Sequence, residues 1–138
     1  MRIAADTAEM LLEAARAAKR SAYAPYSCFR VGAALLFKGG EVVAGCNVEN
    51  SSYGLSICAE RSAMAAAVSR GLILPEAVAV VGKSGVPCPP CGACRQFLSE
   101  FNADMYVVME DECGFVCRKL SELLPMRFDL ISGNGNKR

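Results

Sequence analysis

Apolar positions along the chain follow helical spacing in some segments and strand spacing in others. Residues 7–22 place apolar side chains three or four positions apart, which is typical of an amphipathic helix. Asp6 or Thr7 is the expected N-cap of that helix. Residues 29–37 and 41–48 are short apolar runs joined by Lys-Gly-Gly, and this pattern predicts a β-hairpin.

The rest of the chain alternates helical and strand patterns. Gly71 is the expected C-terminal stop of an alanine-rich helix, and Pro125 follows a short final helix. The predicted elements are helices at 58–71, 91–101 and 118–124 and strands at 76–82 and 104–110. A hairpin followed by such alternation predicts a three-layer α/β/α fold around a mixed central β-sheet. We expect one domain over residues 1–138, with a frayed tail at 131–138.

Composition and charge narrow the class of partner. Hydrophobic residues make up 53% and charged residues 21% of the chain, which favours a folded globular protein. The net charge is +1 without a long run of one sign, which argues against a nucleic-acid partner. The N-terminal segment is interrupted by charges, and no apolar run reaches the ~18 residues of a membrane span. We therefore expect a cytoplasmic protein without a membrane partner.

The chain contains eight cysteines and no histidine. Without histidine, every Ser-His-Asp or Cys-His mechanism and every histidine-ligated metal site is excluded. In a cytoplasmic protein thiols stay reduced, so the cysteines indicate metal binding or catalysis more than disulfides.

The stretch CPPCGACRQ places Cys88, Cys91 and Cys94 at two overlapping C-x-x-C spacings. The first pair fits a redox dithiol, although that function does not account for Cys94. The second pair begins a predicted helix, whose dipole favours two thiolates on one zinc ion. The spacing alone leaves both interpretations open.

Cys58 begins another predicted helix and is a candidate third ligand. Taken alone, Cys58 is typical of a small buried residue, and Glu60 of a solvated acid in a first helical turn. Three protein ligands with an open position are typical of catalytic zinc, whereas a fourth sulfur from Cys88 would make the site structural. The other four cysteines are expected to be core or surface thiols: Cys28, Cys46, Cys113 and Cys117.

Cys-Ala-Glu at 58–60 and Pro-Cys-Gly-Ala-Cys-Arg-Gln at 90–96 resemble the zinc signature of nucleoside and nucleobase deaminases, with cysteine in place of its histidine. With AYAPYSCFRVGAALL (22–36) and GCNVENSSYG (45–54), the chain resembles the small homotetrameric cytidine deaminases over about residues 8–130. The resemblance implies zinc-dependent hydrolysis of cytidine and deoxycytidine to uridine and deoxyuridine in pyrimidine salvage. It also implies one Zn²⁺ per chain, held by Cys58, Cys91 and Cys94, with Cys88 as a bystander.

The resemblance assigns roles near the metal to two further residues. Glu60 would take a proton from water and deliver protons to the base. Arg61 would donate hydrogen bonds to ligand sulfurs and offset the charge of three thiolates. Arg95, directly after Cys94, is a second candidate for this role on its position in the sequence, and the resemblance does not assign it. Without the motif, Arg61 is typical of a helix surface.

The resemblance also implies a nucleoside site. Asn47 and Glu49 match the residues that hold the ribose 3′-hydroxyl, although a strand end and a loop acid would fit the pattern as well. Phe29 matches a phenylalanine against the base, and Tyr53 a position near the ribose at a subunit boundary. Phe128 is a candidate to reach a neighbouring site, but LLPMRFDL departs from the family pattern there.

Three alternatives remain at this point. Deaminases of the blasticidin type share both zinc motifs but lack the Asn-Val-Glu-Asn segment that this chain has at 47–50. A polynucleotide deaminase would need a basic stripe or a platform of stacking aromatics, and a carboxylate at Glu49 would repel a 3′-phosphate. A non-catalytic zinc module would need Cys88 as its fourth ligand.

Overall fold

The structure is a computed structural model that describes residues 3–130. It contains four α-helices and five strands. In chain order these are α1 (Ala5–Lys19), β1 (Gly32–Phe37), β2 (Val42–Cys46), α2 (Ala59–Ser69), β3 (Pro75–Val81), α3 (Gly92–Ser99), β4 (Tyr106–Asp111), β5 (Gly114–Lys119) and α4 (Leu120–Leu123). A short 3₁₀ turn at Tyr53–Leu55 precedes α2.

The five strands form one mixed sheet in the order β2-β1-β3-β4-β5. The predicted hairpin is confirmed, since β1 and β2 pair antiparallel. β3 and β4 are the parallel pair, joined by α3 as a crossover connection of the kind that parallel strands require. β4 and β5 pair antiparallel at the edge.

Helices cover both faces of the sheet, which confirms the predicted three-layer α/β/α architecture. One buried cluster lies between the sheet and α1, and the other between the sheet and the layer of α2 and α3. Two glycines allow close helix packing. A Cβ on Gly32 would lie 1.9 Å from the Ala15 oxygen in α1, and one on Gly45 would lie 2.6 Å from the Ala63 nitrogen in α2.

The prediction from the sequence placed the start of the first helix wrongly and did not include the last strand. α1 begins at Ala5 with Ala4 as N-cap, so the predicted cap at Asp6 or Thr7 is wrong, and Asp6 lies in the first turn instead. An acid there interacts favourably with the helix dipole without capping. β5 begins at Gly114, whose φ is 135°, and most of its residues are half-buried, so its sequence shows little apolar periodicity. The predicted frayed tail at 131–138 lies outside the described residues.

Within residues 3–130, the helices are too short or too polar to cross a membrane.

Candidate metal centre

Two helix N-termini bring the predicted metal ligands together. Cys58 is the N-cap residue of α2 and Cys91 is the N-cap residue of α3, both with extended backbone. Cys94 lies in the first turn of α3 and is fully buried. Because α2 and α3 pack against each other, all three thiols meet where both helix dipoles favour negative charge.

The sulfur separations fit one tetrahedral zinc ion. Cys58 Sγ lies 3.8 Å from Cys91 Sγ, and Cys91 Sγ lies 3.5 Å from Cys94 Sγ. All three sulfurs lie within 4.8 Å of one another. Zn–S bonds of ~2.3 Å at tetrahedral angles place sulfurs about 3.8 Å apart, so the cluster can hold zinc with little movement.

Cys88 does not belong to this cluster. Among the described residues, the group of candidate metal ligands consists of Cys58, Cys91 and Cys94, without a fourth cysteine or acid. Cys88 is half-buried and packs against the apolar core. The geometry therefore favours a three-sulfur site with an open position over the four-sulfur module and the Cys88–Cys91 dithiol.

Interactions among the three thiols and Arg61 change pKa values within the cluster. Hydrogen bonding from the Cys94 thiol, with help from Arg61 and Cys91, lowers the pKa of Cys58 to about 5. The Cys58 thiolate in turn raises the pKa of Cys94, since the two sulfurs share one proton. Arg61 Nη2 lies 3.7 Å from Cys58 Sγ, and this contact raises the pKa of the guanidinium. Arg61 thus lies beside the Cys58 sulfur.

Arg95 makes different contacts from Arg61. Its Nε donates to the Pro90 carbonyl oxygen at 2.8 Å, and its Nη1 donates to that of Leu123 at 3.1 Å. The first bond holds the loop that leads into Cys91, and the second joins α3 to the end of α4. Arg95 therefore supports the ligand loop through the Pro90 carbonyl.

Glu60 is a buried carboxyl beside the cluster. Only 4% of its surface is exposed, and it follows Cys58 by two residues in the first turn of α2. Burial raises the pKa of Glu60 above its ordinary value, and the Cys58 thiolate adds to the increase. A carboxyl in such surroundings is suited to accept and return a proton.

A pocket of about 300 Å³ opens beside Glu60 and the sulfurs. A larger groove of about 780 Å³ lies between Ile3 and β5 but contains none of the predicted site residues, so we place the site in the smaller pocket. Cys88, the expected bystander, is part of its wall. The predicted residues that line the pocket are Phe29, Asn47, Glu49, Cys58, Glu60 and Cys91.

Asn47 and Glu49 organise the loop that forms one wall of the pocket. Asn47 accepts a hydrogen bond from the Val31 N–H at 2.8 Å and donates to the Phe29 carbonyl at 2.9 Å. The Glu49 carboxylate accepts from the Tyr26 and Ser27 N–H groups at 3.0 and 3.1 Å and from the Ser27 hydroxyl. Hydrogen bonds from Ser27 lower the pKa of Glu49. The sequence did not indicate Ser27, because a loop serine has no distinguishing pattern.

The predicted aromatic residues have different positions. Phe29 lies in the pocket wall, directly after Cys28, whose φ of 59° turns the chain. Tyr53 is 75% exposed, stacks edge-on against Tyr26, and does not line the pocket of a single chain. Phe128 is 67% exposed, while Gln96 binds its backbone N–H and carbonyl at 3.1 and 2.9 Å.

Comparison with known proteins identifies related chains. Residues 5–110 match the family described as the cytidine and deoxycytidylate deaminase zinc-binding region. The chain is 48% identical over 122 residues to a cytidine deaminase of Halalkalibacterium halodurans, covering 87% of this chain and 92% of the relative. The crystal structure of a Burkholderia pseudomallei cytidine deaminase is similar with a TM-score of 0.82 at 46% identity, over 87% of this chain and 98% of that one. That of Mycobacterium tuberculosis has a TM-score of 0.78 at 43% identity, over 88% and 97%.

Proposed function

This chain belongs to the cytidine and deoxycytidylate deaminase family, and from that premise we propose how its own residues carry out the hydrolytic deamination of cytidine. The observation that carries the proposal is the three-sulfur cluster beside a buried Glu60 in one pocket. The reaction converts cytidine and water to uridine and ammonia. We extend the substrates to deoxycytidine, which lacks only the 2′-hydroxyl and keeps the 3′-hydroxyl that Asn47 and Glu49 are proposed to hold.

Cys58, Cys91 and Cys94 hold one zinc ion per chain in this proposal. When bound, zinc lowers the pKa of a water molecule to near neutrality and so makes it a nucleophile. Three thiolates leave the site with excess negative charge, which opposes that effect. The Arg61 guanidinium and the N-termini of α2 and α3 offset part of it, because each places positive charge at the sulfurs.

Glu60 carries the protons. Its carboxylate takes a proton from the attacking water and delivers it to N3 of the ring while the C4–O bond forms. It then moves the remaining hydroxyl proton to the amino group, and the C4–N bond breaks with release of ammonia. Glu60 ends as it began, so one buried carboxyl serves both transfers.

The pocket wall opposite the sulfurs binds the nucleoside. Phe29 contacts the base, while Asn47 and Glu49 hold the ribose 3′-hydroxyl. Glu49 is ionised at neutral pH like an ordinary glutamate, and hydrogen bonds from Ser27 and Tyr26 lower its pKa further. A carboxylate there disfavours a 3′-phosphate, which selects free nucleosides over polynucleotides.

We propose further that the enzyme is a single-domain homotetramer that acts in cytoplasmic pyrimidine salvage. The exposed rings of Tyr53 and Phe128 support assembly, because a neighbouring chain would cover them. All eight cysteines are free thiols, which supports a reducing compartment. Light scattering coupled to size exclusion would test the assembly, and a monomeric mass at micromolar concentration would contradict it.

The activity is tested with the zinc-loaded wild-type enzyme. Ultraviolet absorbance would follow the conversion of cytidine to uridine, with deoxycytidine, cytosine and cytidine 3′-monophosphate compared under the same conditions. We expect turnover of both nucleosides and poor turnover of cytosine and the 3′-monophosphate. An enzyme that contains zinc but leaves cytidine unchanged would refute the proposed function.

Replacement of Arg61 tests its contact with the Cys58 sulfur. We expect Arg61→Ala to fold but to bind zinc roughly 10- to 100-fold more weakly, with a matching loss of activity, because the thiolates lose a hydrogen-bond donor. Metal content, a chelator competition and turnover would be measured together. Arg70→Ala is the matched control, since Arg70 is exposed at the end of the same helix. Unchanged metal content and turnover in Arg61→Ala would contradict the role.

Replacement of Glu49 tests the ribose contact. We expect Glu49→Gln to raise KM for cytidine roughly 10- to 100-fold with less change in kcat, because a charged acceptor for the 3′-hydroxyl is lost. Discrimination against cytidine 3′-monophosphate should fall in the same variant. Glu41→Gln, at an exposed turn, is the control. A lower kcat with unchanged KM would assign Glu49 to loop structure alone.

A further inference from the structure

Gly82 is a buried glycine directly behind the wall of the nucleoside pocket. It follows the last residue of β3, and its carbonyl accepts a hydrogen bond from Lys19 Nζ of α1. Its φ lies outside the left-handed region, unlike that of Gly40, Gly71, Gly85 and Gly114. Backbone conformation therefore does not require glycine at this position.

The space around Gly82 is instead filled by neighbouring side chains. A Cβ at this position would lie 2.7 Å from Phe29 Cζ, 3.3 Å from Phe29 Cε2 and 3.0 Å from Cys88 Sγ. Carbon atoms in proteins do not approach that closely without displacement. The Phe29 ring therefore occupies the volume that a side chain at 82 would fill.

Phe29 and Cys88 both line the pocket that contains Glu60, Cys58 and Cys91, whereas Gly82 itself does not. Phe29 is 46% exposed, so its ring is held on one side by Gly82 and is open on the other. Asn47 fixes the backbone of Phe29 through its carbonyl. With its backbone fixed, the Phe29 ring can still tilt. Contact with the Cα of Gly82, which carries no side chain, limits how far the ring can tilt away from the pocket.

We propose that Gly82 is a positioning residue that sets the width of the base subsite by seating the Phe29 ring, an inference that rests on the proposed nucleoside function. Gly82 acts through Phe29, because the atoms nearest to a Cβ at this position belong to Phe29 and Cys88. The position of the Phe29 ring determines how well a single pyrimidine ring is held against the pocket wall. A change at Gly82 should therefore affect binding of the base more than the proton transfers.

Gly82→Ala measures this directly. The Phe29 ring would have to move by about 0.7 Å to restore an ordinary contact of 3.4 Å. We expect KM for cytidine to rise roughly tenfold, comparable to one methylene misplaced in an apolar pocket, with kcat changed less than threefold. Because Phe29 is half-exposed and can move, the variant should stay folded and keep its zinc.

A double-mutant cycle separates the ring contact from general disturbance. Leucine at 29 lacks the Cζ and Cε2 atoms that alanine at 82 would meet, so Gly82→Ala should raise KM less than twofold when Phe29→Leu is already present. Gly39→Ala is the matched control, because the atoms nearest to a Cβ there belong to the carboxylate of Glu41, an exposed side chain at a turn that does not line the pocket. Its KM should equal that of the wild type.

The inference is tested by steady-state kinetics, zinc content and thermal unfolding. These are measured on the zinc-loaded wild type, Gly82→Ala, Phe29→Leu, the double variant and the Gly39→Ala control. An unchanged KM in Gly82→Ala, or equal effects of Gly82→Ala with and without Phe29→Leu, would overturn the inference while leaving the proposed function intact. If Gly82→Ala unfolds, recovery of its melting temperature by Phe29→Leu supports the ring contact, and no recovery overturns it. Inactivity of the wild type on cytidine would instead refute the function itself.

Discussion

Glu60→Ala is expected to give a folded, zinc-loaded protein whose kcat for cytidine is lower by roughly 10²- to 10⁴-fold. Glu60 is the buried carboxyl in the pocket lined by Cys58 and Cys91, and its loss removes the group that we propose moves protons between water, N3 and the amino group. Burial of a carboxyl is costly, and burial is the main reason that the pKa of Glu60 is raised. Its removal should therefore not lower the free energy of unfolding by much.

The control for this prediction is Glu60→Gln, which keeps the shape of the side chain but cannot take up a proton. Both variants should lose kcat to a similar extent and retain one zinc per chain. Ultraviolet assays of cytidine turnover, metal analysis and thermal melts would be run on the same preparations. A Glu60→Gln enzyme with near wild-type kcat would show that proton transfer has another route.

Most helices and strands could be predicted because their patterns are local. The hairpin of β1 and β2 and the helix that stops at Gly71 follow from short-range spacing and turn residues, and the structure confirms both. β5 could not be predicted in this way. It is stabilised by antiparallel pairing with β4, so the partner strand determines it more than its own sequence does.

The metal cluster could be predicted from two motifs, but its geometry could not. Cys58 and Cys91 are 33 residues apart, and only the packing of α2 against α3 places their sulfurs 3.8 Å from each other. From the spacing alone, Cys91 could pair with Cys88 as a redox dithiol or with Cys94 as a zinc ligand. The fold separates them, because Cys94 turns into the cluster on the first turn of α3 and Cys88 stays in the preceding loop.

The proposed nucleoside side of the site was harder to predict than the metal side. The sequence could indicate Asn47 and Glu49 but not that both hold the loop of Ser27 and Phe29 through hydrogen bonds. Nor could it indicate Gly82, whose proposed role depends on its lack of a side chain. The contacts of Gly82 with Phe29 and Cys88 exist only once the end of β3 lies under the loop.

The largest effect on metal binding is expected from Cys94→Ala. Cys94 is fully buried, and its sulfur lies 3.5 Å from that of Cys91. Loss of one of three protein ligands should weaken zinc binding by more than the roughly 10- to 100-fold that follows loss of an outer hydrogen-bond partner. We expect the purified variant to contain little zinc, to lack cytidine turnover and to melt at a lower temperature, because metal affinity contributes to folding.

Cys88→Ala is the matched control for Cys94→Ala, since each residue is three positions from Cys91 and each substitution removes one sulfur. Cys88 lies outside the three-sulfur cluster, so its variant should retain one zinc per chain when measured by plasma mass spectrometry. Titration of accessible thiols before and after chelation would show whether Cys94 becomes reactive only when zinc is removed. Zinc lost from Cys88→Ala and kept by Cys94→Ala would reverse the assignment, because the metal would then depend on the first C-x-x-C pair of CPPCGACRQ and not on the second.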